Sequence, residues 1–416
     1  NRLYKNTGNE NFVSVDSGAI YGNTGLLSRG ANWVDIDNDR DIDLFIANES
    51  GAVDYMYKNN GGGYFTSVTG IAPTTSGGIS WSSSWGDYDN DGDLDLYVTN
   101  SENQKNFLFR NDGNFTFTRI LNDPIVNENG YFACSGWGDY DNDGDLDMYV
   151  TQAYGPPNVP LANHLYKNLL VETGNPAFEK ITDGEIVNDL GYSYGFAWAD
   201  WDADGDLDLF TAKTFGENEN NSAYLNNGNS NKWLIVKLSG ANATQISPIS
   251  SKVKVRAVLN GNPVWLVRTV DGQSGYCGQN MDLHFGLGNT AVIDSIIVEW
   301  SSGSTEVYTG VQVNQIIRIV QGSGIIGIEN NGTEFPEGFK LEQNYPNPFN
   351  PETNIRFSIP NVLSNREISL KIYNILGTEV ALLASGKYPA GDHEAVWDAS
   401  ESPSGIYFYK LLSENL

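Results

Sequence analysis

One acidic pattern recurs four times without a gap and limits the fold more than any other feature of the chain. It occupies Trp33–Asp43, Trp85–Asp95, Trp137–Asp147 and Trp198–Asp208, each reading W-x-D-x-D-x-D-x-D-x-D. The leading aspartates, Asp35, Asp87, Asp139 and Asp200, are spaced 52, 52 and 61 residues apart. Between them comes a second signature, as in Tyr57-Lys-Asn-Asn-Gly61 and Phe109-Arg-Asn-Asp-Gly113, with a further copy at Tyr4-Lys-Asn-Thr-Gly8. Asn-Gly and Asp-Gly steps between apolar runs mark tight hairpins. Each repeat therefore holds several short strands, and a period of this size fits propeller blades better than helical solenoids. The strand leaving each loop is apolar on both faces: Leu94, Leu96 and Val98 share one side with Tyr97 opposite, as Ile42, Leu44 and Ile46 do with Phe45. Such a strand belongs between layers. The Trp that opens each loop recurs at one fixed place, which favours blade-to-blade packing over a ligand platform.

Five aspartates within nine residues repel one another unless a positive charge sits among them. A hard divalent cation takes six to eight oxygens, and calcium tolerates irregular geometry better than magnesium. Read as D-x-D-x-D-G-x-x-D, the loop offers carboxylates at positions 1, 3, 5 and 9 and a backbone carbonyl at position 7. The expected ligands are Asp87, Asp89, Asp91 and Asp95 with Asp93 lending its carbonyl, then Asp139, Asp141, Asp143 and Asp147 with Asp145, then Asp200, Asp202, Asp204 and Asp208 with Asp206. Gly at position 6 permits the turn with φ > 0. The first repeat, Asp35, Asp37, Asp39, Asp41 and Asp43, has Arg40 at that position. Its site is expected to be the weakest or empty, with the guanidinium partly replacing the ion, so three or four Ca2+ ions are expected in all. An EF-hand is excluded, because position 12 is Val98, Val150 or Thr211 instead of Glu and the flanks are strand-like.

These Trp-Gly-Asp-Tyr-Asp-Asn-Asp-Gly-Asp-Leu-Asp loops, with Leu-Tyr-Lys-Asn-type hairpins between them, resemble the FG-GAP/VCBS repeats of integrin-α-like propellers. That resemblance implies calcium in each loop and usually seven blades. From about Lys232 the acidic loops stop. Leu283-His-Phe-Gly-Leu-Gly288 followed by Ile293–Gly303 resembles an ASPIC/UnbV domain, although Gln245–Ser251 departs from that family's usual Ser-Asn-Arg and Gly-Ala. Further on, Tyr345-Pro-Asn-Pro-Phe-Asn-Pro351, Ile372–Gly377, Gly391–Trp397 and Ser404–Tyr407 resemble the C-terminal sorting domain of the type IX secretion system. Such domains have an Ig-like fold of FlgD type and carry their cargo across the bacterial outer membrane. The expected architecture is all-β: a partial propeller over 1–230, a β-sandwich-like domain over 231–321, a linker over 322–338 and an Ig-like sandwich over 339–416. Both ends read as interrupted strands, so the chain is expected to be a fragment with blades missing upstream.

Acidic residues outnumber basic ones 52 to 24, a net charge of −28. That field repels nucleic acid and anionic membrane surfaces, and no run of about 18 apolar residues spans a bilayer. Cys134 and Cys277 are far apart in sequence and fall in different expected domains, so no disulfide framework is expected. His164, His284 and His393 are scattered among three domains and suggest no triad; His284 reads as a hydrogen-bonded strand residue. The function expected is recognition of an extracellular glycan or protein by a calcium-loaded propeller at the cell surface or beyond it. An extracellular polysaccharide lyase or hydrolase is the alternative, and a binding module is favoured over an enzyme.

Overall fold

The computed structural model describes residues 2–8, 11–21, 27–156, 158–214, 220–241, 247–272, 277–330, 340–359, 366–389, 391–400 and 402–413. The chain forms two compact units, 1–328 and 329–416. Among the described residues it is all-β apart from four single helical turns, Ala72–Thr75, Pro124–Asn127, Leu170–Thr173 and Glu185–Asn188, which the sequence pattern had not shown.

Three acidic repeats are four-stranded antiparallel meanders. The strands are Ser28–Val34, Asp43–Asn48, Tyr55–Asn59 and Phe65–Val68 in the first. The second has Ser80–Gly86, Asp95–Asn100, Phe107–Asn111 and Phe117–Ile120. The third has Phe132–Gly138, Asp147–Gln152, His164–Asn168 and Phe178–Ile181. The fourth has three described strands, Ser193–Ala199, Asp208–Lys213 and Ser222–Tyr224. Each acidic loop joins the first strand of its sheet to the second, with Trp85 facing Leu96 and Gly86 facing Asp95, and the same register in the other repeats.

In the first three repeats the second strand is buried along its whole length. Its outward-turned aromatic, Phe45, Tyr97 or Tyr149, is fully enclosed because the Trp of the next repeat lies against it. The ring centroids are 5.9 Å apart for Phe45 and Trp85, 6.2 Å for Tyr97 and Trp137, and 6.0 Å for Tyr149 and Trp198. In the second to fourth repeats the Trp is thus a packing residue that fastens one sheet to its predecessor, whereas Trp33 is 48% exposed and lies against Phe65 of its own sheet. At the equivalent place in the fourth repeat, Phe210 is 43% exposed. Hydrogen bonds add to the stacking: Thr99 donates to the Ala133 carbonyl at 3.2 Å and Thr151 to that of Tyr194 at 3.3 Å.

After the repeats, two four-stranded sheets enclose a core that includes Leu234, Val236, Val255, Phe285, Ile296, Trp300 and Ile317. Lys232–Ser239 runs parallel to Gln315–Val320, and every other pairing described in these two sheets is antiparallel. Gly324–Asn330, read above as the start of a linker, is instead an edge strand beside Gln315–Val320, because its Ile-Ile-Gly-Ile run has a sheet to join. Residues 331–338 lie outside the described residues, as do 245 and 246 of the stretch that departs from the ASPIC/UnbV pattern. Cys134 and Cys277 form a disulfide, with Cα atoms 6.5 Å apart. This corrects the expectation from sequence: the sandwich folds back onto the third repeat, so separation along the chain did not measure separation in space.

In the second unit, two three-stranded sheets pack around Ile355, Phe357, Ile368, Leu370, Ile372 and Trp397. The proline-rich entry is held by side chains, with Asn344 donating to Thr353 at 2.9 Å and Tyr409 to the Glu342 carbonyl at 2.8 Å.

Close stacking makes one glycine indispensable. A Cβ on Gly86 would lie 2.6 Å from Cδ1 of Trp137. Gly86→Ala should cost about 1–3 kcal/mol, as overpacking usually does; an unchanged denaturant midpoint would show that the sheets are not stacked this tightly.

Candidate metal centre

Backbone amides build each loop around its first and last carboxylates. In the second repeat Asp91 N and Gly92 N donate to the two oxygens of Asp87, at 3.0 and 3.1 Å. Asp139 and Asp200 receive the same pair of bonds in the third and fourth repeats. The φ of +100°, +107° and +94° at Gly92, Gly144 and Gly205 makes this turn possible. The last aspartate is a knot in all four repeats. One oxygen of Asp43, Asp95, Asp147 and Asp208 accepts from the position-2 amide of its own loop, at 3.1 to 3.2 Å. The other accepts from the amide of the hairpin Asn, at 2.7 to 2.8 Å.

The structure gathers three carboxylates per loop, with one oxygen of each within 4.8 Å of the others. These are Asp87, Asp89 and Asp95; Asp139, Asp141 and Asp147; Asp200, Asp202 and Asp208; and, in the first repeat, Asp35, Asp37 and Asp39. Positions 1, 3 and 9 thus converge where position 6 is Gly. The expected position-5 ligands Asp91, Asp143 and Asp204 stand outside those groups, each accepting from the position-7 amide. The position-7 side chains turn to neighbours: Asp93 accepts from Asn38, Asp206 from Asn142, and Asp145 from Val171 N. Asp41 likewise stands outside its group.

Burial and mutual repulsion push several of these acids upward. Asp89 and Asp200 rise to about 6, and Asp139 to about 8; Asp87, Asp95 and Asp147 rise well above the usual carboxylate range, with burial the largest cause in every case. Enclosed oxygens Asp89 Oδ1 and Asp141 Oδ1 have no hydrogen-bond partner. Buried polar atoms are rarely left so. An all-oxygen, anionic, partly unsatisfied donor set fits a hard divalent cation such as calcium.

Several cations were invisible as site residues in the sequence. Lys58 pairs with Asp37 and, at 2.8 Å, with Asp39; Lys167 pairs with Asp141 and, at 3.3 Å, with Asp143. The signal was the basic residue before the hairpin Asn, present in the motif but read only as turn chemistry. The sandwich supplies others. Lys252, almost wholly buried, reaches Asp35 at 3.6 Å and also donates to Asn38. Asp139 and Asp87 are the strongest charges acting on Arg268, whose Nη2 is enclosed and unpartnered. Gly286 N donates to Asp139 at 3.0 Å, and His284 Nε2 to the Gly205 carbonyl at 2.9 Å, so the sandwich lies directly on the loops. Burial takes His284 down to about 4, which keeps it neutral. Arg40 does not fill its own loop, contrary to expectation. Its guanidinium donates to the Gly303 carbonyl at 2.9 Å and Thr305 at 3.0 Å, leaving Lys58 and Lys252 to neutralise the first repeat.

Comparison with known families agrees with this geometry. Residues 35–98 and 87–150 match the FG-GAP-like repeat, 243–326 match ASPIC and UnbV, and 343–416 match the secretion system C-terminal sorting domain. The chain joins FG-GAP-like repeats to an ASPIC/UnbV domain and a type IX sorting domain. The sorting domain marks a secreted or cell-surface bacterial protein. Among the described residues no helix is long and apolar enough to cross a membrane. Cartilage acidic protein 1 of Mus musculus is 25% identical over 315 residues, covering 73% of this chain and 46% of that protein. Its Homo sapiens counterpart is 26% identical over 349 residues, covering 77% and 50%. The chain therefore spans about half the length of these relatives. Among solved structures, an Agrocybe aegerita lectin described as recognising non-reducing terminal N-acetylglucosamine shares 14% identity, with a TM-score of 0.33 over 93% of this chain and 90% of that one. A glycoside hydrolase shares 9%, with a TM-score of 0.29 over 93% and 94%. Likeness at that level carries no argument.

The raised acids set a pH test. Their folded-state pKa values lie above the unfolded value near 3.8, so without metal the folded chain holds more protons than the unfolded one. Stability from these groups is complete below about pH 4 and is lost as pH rises toward 8. In chelator, Tm should fall across that range, and millimolar calcium should flatten or reverse the trend. A chelated protein whose Tm holds level from pH 4 to 8 would contradict this.

Proposed function

We propose that this is a calcium-stabilised recognition protein, exported by the type IX machinery, that binds an extracellular glycan or protein. The observation that carries the calcium reading is the recurrence, in successive repeats, of three converging carboxylates that include the unpartnered oxygens of Asp89 and Asp141. Calcium is structural in this reading: the ions neutralise the loops that join first and second strands, and so hold the stacked sheets in register. Recognition is supported by the extracellular destination and by a repeat scaffold that leaves loop-rich edges free to vary. The described histidines are dispersed: His164 is bonded to Tyr166 at 2.9 Å, His284 to Gly205, and His393 to the Pro389 carbonyl at 3.0 Å.

An ion that binds only the folded state adds about 2.7 kcal/mol at a hundredfold excess over its Kd. Chelation should therefore lower Tm by many degrees, and Asp89→Asn and Asp141→Asn should each remove about one ion from the bound stoichiometry. Binding on a glycan or matrix-protein array without turnover would support recognition, whereas release of products from a polysaccharide panel would replace it with the enzymatic alternative.

A further inference from the structure

In the third repeat the segment after the hairpin Asn is longer than its counterparts. Residues 169–177 stand where the first two repeats have 60–64 and 112–116, and they form the helical turn Leu170–Thr173. Val171 N donates to Oδ2 of Asp145 at 2.9 Å, which pins this turn against the loop and brings Glu172 beside two loop carboxylates. One oxygen each of Asp143, Asp145 and Glu172 lies within 4.8 Å of the others. This is a different set from Asp139, Asp141 and Asp147, and neither of the first two repeats has a counterpart among the described residues. Asp145 is wholly buried and its Oδ1 has no partner; Asp143 is 92% buried and its Oδ2 accepts no hydrogen bond. The only cation paired with Asp143 or Glu172 among the described ion pairs is Lys167, at 3.3 Å from Asp143 and 2.7 Å from Glu172. One ammonium against three carboxylates leaves the group strongly anionic. Asp143 and Glu172 line a cleft of about 240 Å³ between the third repeat and the sandwich, whose other walls include Asn231, Leu259, Asn260 and Gly288.

We propose that Asp143, Asp145 and Glu172 hold a further divalent cation, calcium by its all-oxygen donors, with coordination positions left open to this cleft. Three carboxylates fall short of the six to eight oxygens calcium takes. The remaining positions face a polar cleft instead of a closed loop, so they are filled by water or by an oxygen-bearing ligand entering it. This ion is reachable from solvent on the side of the exposed Glu172. Lys167 competes with it for the same oxygens.

The test is calorimetric titration of calcium into the full chain. Glu172→Gln, at an exposed position, should lose one ion or weaken one binding step at least tenfold and leave the other steps unchanged. Lys167→Gln should strengthen that same step several-fold, and the double variant should lose the gain at that step; a gain at the Asp139–Asp141–Asp147 step, where Lys167 also pairs with Asp141, is expected in both variants. If the wild type binds calcium and Glu172→Gln titrates identically, this site falls and the loop reading stands. If the wild type binds a single ion that Glu172→Gln abolishes, the site stands and the loop reading falls. A Lys167→Gln gain confined to the steps that Glu172→Gln leaves unchanged would place the effect in the Asp139–Asp141–Asp147 loop alone and overturn the proposal.

Discussion

Carboxylates drawn together out of water repel one another, and the first unit is built around containing that repulsion. Backbone amides are spent on the first and last aspartates of the loops, leaving the third-position acid to face its neighbours with an unbonded oxygen in the first three repeats. Hydrogen bonds from neutral amides stabilise a carboxylate but do not cancel its charge, so the rise of Asp89 to about 6 and Asp139 to about 8 persists despite them. A cation offsets the charge that burial and repulsion penalise. The first repeat obtains one from Lys58 and Lys252 and the third from Lys167, and the converging triads could hold a divalent ion.

The loops are not independent, because hydrogen bonds run between them in both directions. Asn38, Asn90 and Asn142 at position 4 donate forward to Asp93, the Gly144 carbonyl and the Gly205 carbonyl of the following loop. Hairpin residues Asn111, Asn168 and Asn226 donate back to the carbonyls of Ile36, Tyr88 and Tyr140 in the preceding one. Each position-4 residue sits at positive φ, which Asn tolerates well. In the fourth loop Ala203 takes that place and carries no such donor. An ion that orders one loop therefore also fixes the carbonyls and amides its neighbour uses. Repeat proteins gain stability through nearest-neighbour terms of this kind.

Much of this was legible because it repeats. The doubly apolar strand leaving each loop announced burial between layers, and Phe45, Tyr97 and Tyr149 are fully enclosed as that pattern requires. The recurring Trp announced packing. Gly at position 6 announced the turn, and the converging triads use positions 1, 3 and 9 of the pattern. What was not legible depends on contacts between segments distant in sequence. Nothing in the local pattern around Lys252, Arg268 or Cys277 marks them as neighbours of loops more than a hundred residues earlier. Arg40 was misread for the same reason: its local position suggested the loop, while Gly303 and Thr305 offered its guanidinium better acceptors. Asp143 stood fifth in a ligand pattern, but the helical turn inserted at Leu170–Thr173 gave it a second set of neighbours.

That dependence explains why the sandwich and the repeats form one compact unit. Buried acids need positive charge and donors from somewhere, and a chain with net charge −28 has few to spare. The sandwich supplies Lys252 to Asp35, the Gly286 amide to Asp139, and the Arg268 guanidinium to the field of Asp139 and Asp87, all at the loop end of the sheets. A polar interface so placed is satisfied only when the loops hold their shape, because a displaced Asp139 would leave the Gly286 amide buried without a partner and weaken the field that offsets the buried Arg268 charge. Docking of the sandwich and the shape of the loops are therefore two parts of one electrostatic balance, with the Cys134–Cys277 bond holding the chain where both are met.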